Sequence, residues 1–502
     1  MEREADSIPS SERTTTLTLW ILAAITVWIH WVVGNKYGFH RDELQFLDDA
    51  RHLAWGYVAY PPLTSFLGRV AISLFGVSPA VFRLPASLTN ACSLVLTALV
   101  ARAFGGRRMA QVAALLAGSA VALVMGSLMQ YVSFDYTIWA LLAWSTAMLL
   151  RTGDRRWWLA AGAAVGLGIL NKYTIAFPAV SLIAGLAILP SQRGHLRSRW
   201  FWGGVALAIL IGLPHLVWEA RHGFITLRME HFVHLRDVGE GRAAGYWTDQ
   251  PKLMMLALPL ALLGLWRLAR HPRFRLMLFL FAGPVLLVGL AQGRSYYVLP
   301  AYIPLYAAGA VWIEEKLAGR ALWLRGLVWT VACAALLLDA IGACRAYLPF
   351  AQPGSALFRW QMKHDSDLAD EIGWPEFVAK VASVRDQIPA QDTGRLAILA
   401  GNYGEAGALA LYGPRYALPT PISGVNSFYL RGYGSPDPQT VIVVGFSAGR
   451  LKDFFHACTL AARVYIPYGV RNEESVYHPE IFVCRDPVKP WGQMWPELQS
   501  FQ

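Results

Sequence analysis

Asp42 and Glu43 are adjacent carboxylates that follow soon after a long apolar run, with His40 and Arg41 in front of them. Carboxylates side by side near an apolar surface are material for a general base; on a solvated helix face the same pair does no chemistry. Lys172, in Leu170-Asn171-Lys172-Tyr173, and Arg294, in Gly293-Arg294-Ser295-Tyr296-Tyr297, each sit between apolar runs. A cation there can hold a lipid-linked phosphate, Arg as a bidentate fork and Lys as a point charge. The plainer use is snorkelling to headgroups. Asp135 opens one apolar run, and Glu219, Arg221 and His222 close another. That trio could cap a helix end or face the same cavity as Asp42. Tyr173, Tyr296 and Tyr297 stand beside the two cations as candidate substrate contacts. His231 and His234 share a helical face, but no third ligand follows at metal spacing.

These residues need a membrane to position them. The chain has 502 residues, 55% hydrophobic and only 15% charged. Its apolar residues gather in eleven runs: Leu17–Val33, Val81–Phe104, Met109–Leu128, Phe134–Leu150, Trp157–Leu170, Ile175–Pro190, Trp200–Trp218, Leu253–Leu268, Leu276–Ala291, Val298–Ile313 and Gly326–Ala343. Each is read as a transmembrane helix, which makes the chain a polytopic α-helical membrane protein. The N-terminus lacks a compact basic region and a small-residue cleavage site, so the first run is read as retained and residues 1–16 as a cytoplasmic tail.

Alternate short loops carry the basic residues: Arg102, Arg107 and Arg108; Arg151, Arg155 and Arg156; Arg193, Arg197 and Arg199; Arg267, Arg270, Arg273 and Arg275; Lys316, Arg320 and Arg325. The opposite short loops hold Lys172 and Arg294. The positive-inside rule puts the first set in the cytoplasm. Asp42, Glu43, Asp135, Glu219, Lys172 and Arg294 then share the outer face. Two excursions, 34–80 and 219–252, lie on that side. The first mixes apolar and polar residues at helical spacing around Pro61-Pro62, which fits two amphipathic helices in the interface. The net charge of +11 is loop arginine and is not read as a nucleic-acid surface.

Composition shifts after Ala346, and 347–502 reads as a small soluble α/β domain. Its strands are expected at Leu396–Ala400, Val441–Phe446, Ala462–Ile466 and Ile481–Cys484, with helices at Ala379–Gln387 and Gly449–Ala461. Of the five cysteines, Cys458 and Cys484 lie in this domain. They could pair in an oxidising compartment or stay as buried thiols. Gly401, Gly404 and Gly407 follow a strand and open a helix, but their spacing is not that of a dinucleotide fingerprint. Tight strand-to-helix packing is the better reading.

The segment FHRDELQFLDDARHLAWGYVAYPPL, the outer Lys172–Thr174 and RSYYVLPAYIPL at Arg294–Leu305 together resemble bacterial membrane glycosyltransferases of family 39. These are relatives of the protein O-mannosyltransferases and of the lipid A aminoarabinose transferase. The tail segments Gly401–Gly413 and Ser423–Gly434 resemble the soluble tail of one bacterial branch. The resemblance implies a GT-C fold in the bacterial inner membrane, with the tail in the periplasm. It implies an inverting enzyme that moves a sugar from a polyprenyl-phosphate donor to a lipid, glycan or protein acceptor. Asp42 would be the catalytic carboxylate with Glu43 beside it, and Lys172 and Arg294 would bind donor phosphate. Tyr60 stands before Pro61-Pro62 where a polar residue such as His or Gln is expected, a departure that bears on acceptor recognition. A lipid phosphate leaves readily, so one base and nearby cations suffice and no cofactor is required. A divalent metal on Asp42, Glu43 and Asp135 stays open, because hard-cation sites need no signature spacing. A lipid or polysaccharide flippase would instead put charges and Gly/Pro breaks deep in spans at matching places in two halves. A sensory protein would carry its function in the tail, with Asp42 dispensable.

Overall fold

The computed structural model describes residues 10–364, 366–434 and 436–502. The expected cytoplasmic tail therefore lies partly outside the described residues, and its residues from Ser10 onward already belong to the first helix. Each of the eleven apolar runs falls on helix. In chain order the helices are α1 (Ser10–Val33), α2 (Arg41–Arg51), α3 (Leu63–Phe75), α4 (Pro79–Ala103), α5 (Arg108–Met125), α6 (Tyr131–Thr152), α7 (Trp157–Ile169) and α8 (Ala176–Ile188). There follow α9 (Arg199–Arg221), α10 (Ile225–Gly239), α11 (Tyr246–Met254), α12 (Leu258–Arg270), α13 (Met277–Leu290), α14 (Ile303–Leu317) and α15 (Leu322–Tyr347). Among the described residues, seven helices are long and apolar enough to cross a membrane by length and composition. The shorter apolar helices include α7 and α13. Small residues let the spans approach closely, as van der Waals packing in lipid requires. At the α7–α9 contact the backbones of Gly162 and Gly204 meet with no room for a Cβ.

The two ends of the bundle differ chemically. At one end the arginine loops bind one another's backbones: Arg151 donates to the Arg102 carbonyl at 2.8 Å and Arg273 to the Leu150 carbonyl at 2.7 Å. Arg267 pairs with Glu315 at 2.8 Å. At the other end, loops 34–80 and 219–252 meet the C-terminal domain.

Within loop 34–80, α3 is the expected amphipathic helix, with Phe66, Val70 and Leu74 exposed. α2 is not. Residues Glu43 to Ala50 are all buried, because the bundle covers one face of α2 and the C-terminal domain covers the other. A capping box starts it: His40 Nδ1 accepts from Asp42 N at 3.1 Å, and Glu43 accepts from His40 N at 2.9 Å.

The C-terminal domain contains α16 (Ala356–His364), α17 (Ser366–Ala369), α18 (Trp374–Arg385), β1 (Leu396–Ala400), α19 (Tyr403–Tyr412), β2 (Thr440–Val444), β3 (Phe455–Arg463) and β4 (Glu480–Pro487). The sheet order is β1-β2-β4-β3. β1 and β2 run parallel with Ile398 opposite Ile442, and β4 is antiparallel to both of its neighbours. The helix expected over Gly449–Ala461 is mostly strand β3. The stretch by itself does not exclude helix, but ladder pairing with β4 decides, with Cys458 opposite Cys484. Those two cysteines form a disulfide. Ile398, Val441 and Ile442 are wholly buried in the core of this domain.

Candidate active site

A cavity of about 530 Å³ opens where α2, α10 and the C-terminal domain converge. Asp42 and Gln45 of α2 line it with Tyr60 and Tyr131. Glu230 and Arg236 of α10, then Arg294 and Tyr297, form the facing wall. The C-terminal domain contributes Asn402, Tyr403, Glu473 and Glu474.

Asp42 is half-buried in the first turn of α2, where the helix dipole favours a carboxylate. Its Oδ1 accepts a 2.8 Å hydrogen bond from the Tyr403 hydroxyl. Among the described residues its Oδ2 accepts no hydrogen bond. Glu43 points the other way. It is fully buried, accepts from Arg83 Nε at 2.9 Å and Nη2 at 2.7 Å, and takes the Met129 N–H at 2.9 Å. Arg83 also pairs with Glu371 of the C-terminal domain at 3.3 Å. One arginine thus ties the bundle, α2 and the C-terminal domain together. Burial pushes the Glu371 carboxyl up to about 7 against the pull of Arg83.

The Lys172 ammonium is buried between two rings, 4.2 Å from the Tyr131 centroid and 3.9 Å from that of Tyr297. Among the described residues it has no hydrogen-bond acceptor. Its charge is held by ring faces and its N–H groups are unspent. Arg294 reaches the cavity too, but Asp237 takes its Nε at 2.6 Å and its Nη2 at 3.0 Å. Burial would raise the Asp237 carboxyl, yet Arg294, Arg242 and Arg236 outweigh it and hold it below the usual carboxylate range. Tyr296 accepts from Arg294 Nη1 at 3.4 Å.

Of the remaining candidates, Tyr60 lines the cavity and the others fall around it. The Tyr60 hydroxyl donates to Asp49 while its ring faces the cavity. Asp135 is buried and accepts from Thr174 at 2.6 Å, which ties α6 to the Lys172 turn. Tyr173 bonds His215 at 2.7 Å. Glu219 is buried and bonded to Thr226, and Arg221 and His222 are exposed, so this trio ends α9 and lies off the cavity. The carboxylates of Asp42, Glu43 and Asp135 are not brought together. Among the described residues no group of three or more His, Cys, Asp or Glu is placed to hold a metal ion.

The residues that sequence reasoning missed come mainly from the C-terminal domain. α19 packs along α2: a Cβ on Gly404 would meet Arg41 Cγ, and one on Gly407 would meet the Leu44 backbone. Gly401 does serve the tight packing expected of it, against Gly445 after β2. Arg41 stacks 4.5 Å above the Tyr403 ring centroid and pairs with Glu473 and, at 3.3 Å, with Glu474. Asn426 donates to Gln45 at 3.1 Å, and Arg431 pairs with Asp48. Positions 41, 45 and 48 form one helical stripe of α2, and every one of them is met by the C-terminal domain.

Residues 59–218 match the family described as dolichyl-phosphate-mannose-protein mannosyltransferase. The fold is that of ArnT from Cupriavidus metallidurans, whose apo crystal structure aligns with a TM-score of 0.56 over 94% of this chain and 98% of that one, at 14% identity. The same protein bound to undecaprenyl phosphate aligns at 0.54, with 16% identity and the same coverage. The chain therefore has a GT-C membrane fold. Among characterised sequences, the lipid A galacturonosyltransferase RgtD of Rhizobium johnstonii is 24% identical over 62% of this chain and 66% of its own length. The lipopolysaccharide core galacturonosyltransferase RgtA of the same organism is 29% identical over 35% of this chain and 36% of its own. An undecaprenyl phosphate-alpha-4-amino-4-deoxy-L-arabinose arabinosyl transferase of Pseudomonas fluorescens is 26% identical over 53% of this chain and 51% of its own. The matched stretches thus span from about a third to two thirds of these relatives. The resemblance to membrane glycosyltransferases of family 39 is borne out.

Proposed function

We propose that this chain is an inverting glycosyltransferase that takes a sugar from a polyprenyl-phosphate donor and passes it to an acceptor on the outer face of the membrane. One observation carries the reading: Asp42, with Oδ2 unspent, lines the same cavity as Arg294 and Tyr297, and the unpartnered Lys172 ammonium is stacked on Tyr297. In a single displacement the acceptor oxygen attacks the anomeric carbon, and the bond to phosphate oxygen breaks with its electron pair. Asp42 Oδ2 takes the acceptor proton. Lys172 and Arg294 stabilise the charge gathering on the lipid phosphate. Tyr131 and Tyr297 hold the ammonium between their ring faces without spending its donors. Glu43 orders the helix that carries Asp42 rather than meeting substrate. The Cys458–Cys484 disulfide accords with an oxidising compartment for the outer domain, which fits the periplasm. The relatives named for galacturonosyl and arabinosyl transfer favour an envelope lipid or glycan as acceptor.

The test is mass spectrometry of envelope lipids, glycans and proteins from cells lacking the chain and cells carrying wild type, Asp42→Asn or Lys172→Ala. A sugar lost with the chain and restored by wild type alone is expected. Removing a general base costs about 10²–10⁴ in rate. In the purified chain Lys172→Ala should weaken undecaprenyl phosphate binding while Asp42→Asn leaves it intact. Wild-type transfer by Asp42→Asn refutes the base, and unchanged binding by Lys172→Ala removes it from the phosphate site.

A further inference from the structure

The outer domain covers the one face of α2 that the bundle leaves free, and it meets Asp42 through a single polar contact. We infer that this domain is part of the reaction site and that Tyr403 is a positioning residue for Asp42: it holds Oδ1 and leaves Oδ2 to take the acceptor proton. The inference rests on the glycosyltransferase reading and adds to it a residue from a different domain.

Three observations converge on it. First, the hydroxyl is 2.8 Å from Oδ1, so the carboxylate has one filled and one open oxygen, and rotation about its side-chain bonds would break the contact. A base fixed in this way meets the acceptor in one orientation, which is the larger share of what a positioned catalyst supplies. Second, Tyr403 is itself fixed. It opens α19 behind a reciprocal capping box, in which Asn402 Oδ1 accepts from Glu405 N at 2.8 Å and Glu405 accepts from Asn402 N at 3.3 Å. The Arg41 guanidinium lies over its ring, and Glu473 and Glu474 hold that guanidinium. Third, the approach of α19 to α2 is made by Gly404 and Gly407, the residues whose missing side chains let a tyrosine at this position reach Asp42. Burial, with Asp42 adding to it, keeps the Tyr403 phenol well above its ordinary value, so it donates and does not compete as a base. Arg41 acts in the opposite direction and is outweighed.

Tyr403→Phe removes the donor and keeps the ring that Arg41 covers. The experiment compares wild type, Tyr403→Phe and Asp42→Asn as full-length chains in membranes. It reads the rate of sugar transfer across pH, the melting temperature in detergent, and the affinity for undecaprenyl phosphate. For Tyr403→Phe the expected result is a rate lowered about tenfold, ~1.4 kcal/mol of barrier. Melting temperature and undecaprenyl phosphate affinity should stay at the wild-type values. The acid limb of its rate profile should move to higher pH, since a carboxylate that loses a donor holds its proton more tightly. Full rate with an unmoved profile, beside an inactive Asp42→Asn, overturns the inference and leaves the glycosyltransferase reading standing. A rate lost only in step with melting temperature and affinity also overturns it, because Tyr403 would then be structural. Transfer by Asp42→Asn at the wild-type rate, or none by wild type, overturns the reading and the inference with it.

Discussion

Gly407→Ala tests whether the C-terminal domain must sit as close to α2 as it does. A Cβ at this position would stand 2.6 Å from the Leu44 carbonyl oxygen, 2.7 Å from its carbon and 2.8 Å from Leu44 Cβ, where ordinary contact starts at 3.4 Å. Two of these atoms belong to backbone that cannot rotate away, so α19 must lift by about 0.8 Å. The Tyr403–Asp42 hydrogen bond of 2.8 Å would then stretch to roughly 3.6 Å, which is no longer a hydrogen bond. Overpacking a filled contact costs about 1–3 kcal/mol, while Ala in place of Gly inside a helix regains about 1 kcal/mol. The net loss is about 0–2 kcal/mol of stability, together with the tenfold loss of rate expected for Tyr403→Phe. Gly413→Ala is the control: its Cβ would find Leu418 at 3.4 Å and should stay within about 0.5 kcal/mol of wild type. Thermal melts of the full-length chain and transfer rates in membranes read both effects. If Gly407→Ala and Gly413→Ala melt and turn over alike, the close approach is not needed and the reasoning fails.

Arg83→Met leaves Glu43 and Glu371 buried without their shared cation, a loss of about 3–5 kcal/mol, and should yield little folded protein. A wild-type melting temperature would show that the junction does not depend on the pair. Glu405 gives a pH signature. It is 1% exposed, and burial, with Glu474 adding to it, pushes its carboxyl from 4.5 up to about 8. A folded pKa above the unfolded value means that the folded chain holds the extra proton. Its stabilising contribution is complete below about pH 4.5 and is lost as pH rises through about 8. Glu405→Gln cannot ionise, so its melting temperature should exceed that of wild type at pH 9 and converge with it at pH 5; parallel curves would refute the assignment.

How far the site could be read from sequence follows from where its contacts come from. Lys172 and Arg294 stood out because basic residues are scarce on their side of the bundle, a signal written along the chain itself. Asp42 stood out by its place after the first span and by the motif around it. Glu43 looked equivalent, and nothing local separates the two. What separates them is Arg83, forty residues on, which turns one carboxylate inward and leaves the other facing the cavity. Tyr403 could not be read at all. It lies 361 residues from Asp42, and periodicity reports which face of an element is apolar, not which distant element covers it. The three glycines were legible as close packing, but the nearest neighbours of Gly404 and Gly407 lie on α2, outside their own domain. The same limit explains β3, where the local stretch suggested helix and the ladder to β4 prevailed.

The burial of α2 has a physical consequence for how such a site can be built. A helix with Glu43, Asp48 and Asp49 buried in eleven residues is a poor helix to leave at a membrane interface, because each carboxylate needs a partner once water is gone. The bundle supplies one cation, Arg83, from α4. The C-terminal domain supplies Arg431 for Asp48 and Asp49. Asp42 differs from these three in pairing with no arginine among the described residues and in keeping an open side on the cavity, so it is the carboxylate of this helix placed to exchange a proton with a molecule there. The arginines that satisfy the other carboxylates are therefore what single out Asp42, and one of the two, Arg431, comes from a domain that the reacting chemistry alone would not have required.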